Sequence, residues 1–206
     1  MSHDNEAYWV DRHKKLKGSL ASVGRLGASE QENRQNYSRK KRLVADLLRV
    51  LDCLDLKGKN VLDAGCGIGL ISELFYSLGA SVSGVDTSNV AIEEATDRSA
   101  PDGGSGMMIV SSLVDFNFPR QFDITFCLDV LYHVVDDNNW SAALANLSKH
   151  TRTGGLLVVL DQLKPAVQRP APHVCFRTAS LYRNALTTLQ MQQVDTGLDQ
   201  FIVFRK

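Results

Sequence analysis

The ten residues Val61-Leu-Asp-Ala-Gly-Cys-Gly-Ile-Gly-Leu70 constrain this chain more than any other stretch: an apolar run ends in an acid, and three glycines alternate directly after it. A strand delivering the backbone to Gly65, Gly67 and Gly69 brings it to a tight turn in which no Cβ keeps a ligand away, and an amphipathic segment then opens a helix. Asp63 narrows the choice of ligand. A carboxylate suits an ammonium group better than a pyrophosphate, because opposite charges favour each other's ionised form. A second apolar run, Ala80 to Val85, ends in Asp86, 21 residues after Gly65. An acid in that place accepts hydrogen bonds from ribose hydroxyls. The ligand so described carries an amine and a nucleoside. A dinucleotide loop needs G-x-G-x-x-G, but counting from Gly65 puts Leu70 at the third glycine, and counting from Gly67 puts Ser72 there.

The bulk numbers bound the rest. A chain of 206 residues builds one domain with a sizeable core and is short for two. Lys plus Arg (23) equals Asp plus Glu (23), so no overall field draws the protein to nucleic acid or to an anionic membrane, and a small or neutral partner is expected. No apolar run is long enough to span a bilayer, and the first residues, MSHDNEAYWVDRHKK, are charged where a signal peptide needs an apolar stretch. The expected location is the cytoplasm. Cys53, Cys66, Cys127 and Cys175 form no C-x-x-C pair and read as reduced thiols.

Along the chain, residues 1 to about 30 place Tyr8, Trp9 and His13 among charges, followed by a Gly/Ser-rich stretch that is mobile unless something covers it. Ser29-Glu-Gln-Glu32 is a capping signal for a helix to about Leu51, with Leu43, Leu47, Val50 and Leu51 on one side. Strands and helices then alternate: strand 60–64, helix 68–79, strand 81–86, helix 88–99, a turn over 101–106, strands 107–111 and 122–128, helix 137–150, strand 155–161. Such alternation means parallel strands joined by crossover helices. An irregular loop with Pro165, Pro170 and Pro172 follows, then a helix from about Thr178 to Leu189 and two strands, 190–195 and 201–205, whose short connection makes them antiparallel. The organisation expected is a lid segment over residues 1–44 and a ligand-binding domain over 45–206.

The segments Val61 to Leu70, Val82 to Ser88 (VSGVDTS), Phe122 to Val135 (FDITFCLDVLYHVV) and Gly154 to Leu160 (GGLLVVL) together resemble the class I, Rossmann-like, S-adenosylmethionine-dependent methyltransferases of small-molecule type. The resemblance spans roughly residues 45 to 161. It implies an α/β fold, a doubly wound, mostly parallel seven-stranded sheet of order 3-2-1-4-5-7-6 with strand seven reversed. It also implies S-adenosyl-L-methionine as cofactor and S-adenosyl-L-homocysteine as product. Methyl transfer from a sulfonium is a direct displacement that asks the protein mainly to hold donor, methyl and acceptor in line in a dry pocket. Two rivals remain: an NAD-dependent oxidoreductase with a degenerate loop, and a non-catalytic partner that binds S-adenosylmethionine on the same fold.

Site residues follow from placement at the carboxyl ends of the strands. For the cofactor they are Asp63, Gly65, Cys66, Gly67, Gly69, Asp86 and Thr87, with Ser112 and Leu113 after strand three, where the resemblance offers an acid but this chain has Ser112, and Leu128 after strand four. Tyr37 is placed to donate to the cofactor carboxylate. His133 is either a base taking a proton from a hydroxyl or amine, or a residue that packs at a helix start. His173 and Arg177, from the proline-rich loop, are a second catalytic group and an acceptor contact, the competing reading of Arg177 being a plain helix-start residue. The resemblance implies that Tyr132 faces the acceptor; Trp9 is a further acceptor contact, and Tyr8, Trp9 and Tyr37 are candidates for a lid that excludes water. The basic run Arg39-Lys-Lys-Arg42 reads as a solvated helix face, and Asp136-Asp137 lacks the further ligands a metal needs, so no metal is expected. The resulting expectation is an enzyme methylating an oxygen, and less readily a nitrogen, of a small-molecule acceptor, working as a monomer or homodimer.

Overall fold

A computed structural model describes residues 5–99 and 106–206. In chain order the elements are α1 (Asn5–Lys15), α2 (Glu30–Val50), β1 (Asn60–Ala64), α3 (Ser72–Ser77), β2 (Ser81–Asp86), α4 (Asn89–Arg98), β3 (Met108–Val110), β4 (Phe122–Leu128), α5 (Asp137–His150), β5 (Thr151–Leu160), β6 (Gln168–Ala171), β7 (Val174–Phe176), α6 (Ala179–Thr188), β8 (Gln192–Gln193) and β9 (Phe201–Arg205). The turn expected over 101–106 lies, Gly106 apart, outside the described residues.

Seven strands form one sheet in the order β3-β2-β1-β4-β5-β9-β8. The first five are parallel, and β9 runs antiparallel to both β5 and β8. This is the doubly wound order expected from the sequence, its last pair being the sixth and seventh strands of the sheet. The middle strands β1 and β4 are buried almost throughout because helices cover both faces. On one face α5 and α6 bring Trp140, Leu144, Leu147, Tyr182 and Leu186 against Leu62, Leu157 and Phe204. On the other, α2 and α3 bring Val44, Leu47, Leu48 and Phe75 against Val61, Phe126 and Val158.

Local chemistry sets the helix starts. At α2 the Ser29 hydroxyl accepts the Glu32 N–H and the Glu32 carboxylate accepts the Ser29 N–H, the reciprocal cap the sequence announces. The side chains of Ser88, Asp136 and Thr178 likewise accept a backbone N–H at the starts of α4, α5 and α6.

The structure departs from the expected elements in several places; β5, for one, starts at Thr151 and not at 155. The helix after β1 begins at Ser72, not 68, because residues 65–69 are spent in a turn whose three glycines have positive φ. The buried stripe of α2 runs through Val44, Leu47 and Leu48, while Val50, expected inside, is 54 % exposed. The proline-rich loop folds into an antiparallel pair, β6 and β7, and Pro170 is tolerated there because a two-stranded ribbon is all edge. The polar N-terminal segment is ordered by contacts. Arg12 donates to Ala21 O at 2.7 Å and also to Gly24 O, and buried Asn33 of α2 receives the Arg25 N–H at 2.8 Å. α2 itself crosses residues 44 and 45 without a break. Among the described residues no helix is long and apolar enough to cross a membrane.

Candidate active site

A cavity of about 860 Å³ lies across the carboxyl ends of β1, β2 and β4, between the strand tips and α1. Its strand-tip wall is made by backbone. The N–H groups of Gly65 and Cys66 both donate to Val85 O, at 2.8 and 3.1 Å, which folds the loop after β1 back over β2. Gly65 has φ +76° and Gly67 φ +53°, a region that L side chains rarely adopt. A Cβ on Gly65 would lie 2.4 Å from the side chain of Val130, and one on Gly67 2.8 Å from that of Val23. The glycines are thus demanded by the protein's own packing. Gly69, expected in the cradle, is not on the cavity wall: it lets the loop close against Ala95 of α4.

Asp86 closes the turn. Its two oxygens accept the Gly67 and Ser88 N–H groups, both at 3.0 Å. Burial raises its pKa, and these amides together with the nearby His13 hold the rise in check. Asp63, 3 % exposed, accepts the Ser72 hydroxyl at 2.6 Å. Burial pushes its carboxyl up to about 6, against the pull of Ser72 and of Lys40. Cys66 and Thr87 also reach the cavity. The Cys66 thiol packs among Ile92, Ala95 and Met108, and burial drives its pKa well up, so it stays a neutral thiol. Ser112 and Leu113 are on the wall too, but the Ser112 hydroxyl is engaged with Asp115 at 2.7 Å.

The wall beside Asp63 holds a group that sequence reasoning misses. Lys40, expected on a solvated basic face, reaches inward and meets the Asp129 carboxylate at 2.6 Å. Burial works against its charge, yet Asp129 keeps its pKa above the ordinary value. The overlooked signal is helical spacing: 33, 37, 40, 44 and 47 form one stripe of α2, so Lys40 follows Tyr37 inward. Asp129 adopts φ +60° directly after β4, next to Leu128 on the same wall. The Tyr37 hydroxyl, expected to meet a cofactor carboxylate, donates instead to Val23 O at 3.0 Å and ties α2 to the N-terminal segment.

The opposite end of the cavity is built from rings. His133, in a 3₁₀ turn after β4, has Nδ1 2.9 Å from His173 O. A carbonyl only accepts, so the proton sits on Nδ1 and Nε2 keeps its lone pair. Burial lowers the His133 pKa to about 4, which leaves the imidazole neutral at ordinary pH. The His173 ring stacks on Tyr8 at 4.3 Å, Trp9 meets His133 edge-on at 4.7 Å, and Tyr132 lies between His133 and Phe176. Arg177 is not part of this group. It is 2 % exposed, donates to Asp137 Oδ1 at 2.6 Å and to Val134 O at 3.0 Å, and lies over the Trp140 ring. It locks the start of α5 and does not line the cavity. The neighbouring Asp136 spends its carboxylate on the α5 cap.

A second residue missed by sequence reasoning is His13, on α1. It lines the cavity close to Asp86, is 2 % exposed, and neither ring nitrogen has a hydrogen-bond partner among the described residues.

Comparison with known proteins agrees with the fold. Residues 61–155 match the family described as "Methyltransferase domain". The ubiquinone biosynthesis O-methyltransferase of Schizosaccharomyces pombe, a mitochondrial protein, is 34 % identical over 119 residues, 56 % of this chain and 42 % of that protein. The protein of the same name from Thiobacillus denitrificans is 38 % identical over 96 residues, 46 % of this chain and 41 % of its own length. The chain therefore spans about two fifths of the length of these curated relatives. Among solved structures, magnesium protoporphyrin IX methyltransferase from Synechocystis PCC 6803 with bound S-adenosylmethionine superposes with a TM-score of 0.70 over 98 % of both chains, at 19 % identity.

Proposed function

We propose that the chain is a class I S-adenosylmethionine-dependent methyltransferase that transfers the cofactor's methyl group to a hydroxyl oxygen of a small-molecule acceptor. The observation that carries this reading is the orientation of His133: a neutral imidazole at the cavity wall, its proton held on Nδ1 by His173 O and its Nε2 lone pair available. The relatives in sequence are O-methyltransferases, which supports oxygen over nitrogen.

The residues present fit the cofactor. Asp63 and Lys40 offer opposite charges to the ammonium and carboxylate of its amino-acid end, and the side-chain-free stretch at Gly65 and Gly67 leads to Asp86 at its ribose. Bound there, S-adenosylmethionine supplies an electrophilic methyl carbon. His133 Nε2 would take the proton that the acceptor hydroxyl gives up on methylation. His173 acts on this step through its carbonyl, as a positioning residue. Tyr8 and Trp9 line the site from α1, so the described segment ahead of α2, part of the 1–44 stretch expected as a lid, covers it. A small-molecule acceptor, a monomer or homodimer and a cytoplasmic location complete the proposal.

The test is calorimetric titration with S-adenosylhomocysteine, followed by transfer of labelled methyl to a panel of phenols, alcohols and amines. Binding with label appearing on hydroxyl acceptors supports the reading. Tight uptake of NADH with no response to S-adenosylhomocysteine would sink it.

A further inference from the structure

Resting on that reading, we propose that His13 is a ribose-binding residue, donating a ring N–H to a cofactor hydroxyl from above while Asp86 accepts from below. A buried polar group left without a partner costs free energy, and His13 carries two such nitrogens. Trp9, Arg12, Asp86 and Glu94 surround it: its ring touches Trp9 at 5.8 Å, and the three charges act on it. No described residue satisfies it, although it faces a cavity large enough for a nucleoside.

The chemistry of those neighbours selects the ligand. Two carboxylates close by, Asp86 and Glu94, repel a phosphate. A hydroxyl fits, because it offers one proton and two lone pairs. It donates to the Asp86 carboxylate and accepts from His13. The carboxylate keeps lone pairs for this after receiving the Gly67 and Ser88 amides.

The placement also explains how α1 registers a filled site. Immediately after α1, Lys17 pairs with Glu93 at 3.3 Å and the Gly18 N–H points at Glu94 at 3.4 Å, so the segment rests on α4 beside the ribose. Both contacts are long or exposed and hold the segment weakly. A hydrogen bond from His13 to the ribose adds the missing tie and closes the lid on the cofactor rather than on the acceptor.

The experiment titrates wild type, His13→Phe and His13→Gln with S-adenosylhomocysteine and with its 2′-deoxy and 3′-deoxy analogues, following the heat of binding. Wild type should discriminate against at least one deoxy analogue. His13→Phe should bind S-adenosylhomocysteine roughly tenfold more weakly, the scale of one buried hydrogen bond, and lose no further affinity for that analogue. His13→Gln, which keeps an N–H donor, should recover most of the loss. Unchanged affinity in His13→Phe, or undiminished discrimination between ribose and deoxyribose, overturns the assignment while the cofactor reading stands. Failure of wild type to bind S-adenosylhomocysteine overturns both.

Discussion

At the strand-tip end of the cleft the glycine loop is fixed through its own backbone amides: Val85 O holds Gly65 and Cys66, and the Asp86 carboxylate holds Gly67 and Ser88. At the acceptor end, positions are fixed by rings from segments distant in sequence, with Tyr8 and Trp9 from α1, His133 after β4, and His173 from the β6–β7 turn. Backbone amides cannot rotate away from their acceptors once the loop is formed, whereas stacked rings are joined by contacts of about 0.5–1.5 kcal/mol each and can separate singly. The first end is built to hold one ligand always in the same pose. The second is built to open. Mutations at the strand tips should therefore act on affinity, and mutations at the ring cluster on turnover and exchange.

The sharpest division between the two comes from His133→Ala. It should lower turnover by ~10²-fold or more, the usual contribution of a positioned base, with the dissociation constant of S-adenosylhomocysteine nearly unchanged. Full activity would confine His133 to packing. Next in size, Asp86→Ala should weaken cofactor binding by about 1–3 kcal/mol, the scale for losing a hydrogen-bonded charged acceptor, as read by calorimetry. An unchanged constant would remove Asp86 from the site and erase the distinction between the two ends.

The same contrast decides what the sequence reveals. The glycine loop and Asp86 are local: apolar runs, their terminal acids and three glycines within a few residues carry the whole geometry, so they can be read directly. The sheet order is legible for a related reason, since alternating elements leave few chiral solutions. His13, Lys40 and the loss of Arg177 to Asp137 are not local. Each depends on what the fold brings beside it from far away in the chain. Lys40 is nonetheless recoverable from the helical stripe through Tyr37 and Val44, because burial on one face is periodic. Nothing comparable marks His13, whose surroundings come from α1, β2 and α4 together. The β6–β7 ribbon is hidden by Pro170, which argues against a strand in the interior of a sheet but not at an edge.

Asp63 sharpens the comparison through pH. Burial raises its pKa in the ligand-free protein to about 6 from an ordinary 3.8. Between these values the folded protein binds a proton that the unfolded chain has released, so this group's contribution to stability falls as pH rises from about 4 to about 6. The cofactor's ammonium needs the ionised form. Affinity should therefore rise with pH, by up to about tenfold per unit, and level off above about pH 6. Asp63→Asn should abolish both slopes, leaving the ligand-free melting temperature at neutral pH equal to or above that of wild type and cofactor binding weaker. Identical pH profiles for variant and wild type would place the titrating group elsewhere.

The smallest effect is expected where a single ring is removed. Tyr8 contributes its stack on His173 and its edge-to-face contact with Trp9, the latter at 5.4 Å. Of these two, only the stack on His173 joins α1 to the rest of the chain, and its loss is worth roughly 0.5–1.5 kcal/mol. Tyr8→Ala should thus shift the closing equilibrium of α1 by about tenfold or less, seen in stopped-flow fluorescence as faster release of S-adenosylhomocysteine with little change in its rate of entry. Because His173 O, not its ring, orients His133, the pH profile of turnover should stay where it is. A moved profile would mean that the Tyr8 stack, and not the carbonyl alone, holds the imidazole, and that the acceptor end is as rigidly built as the strand tips.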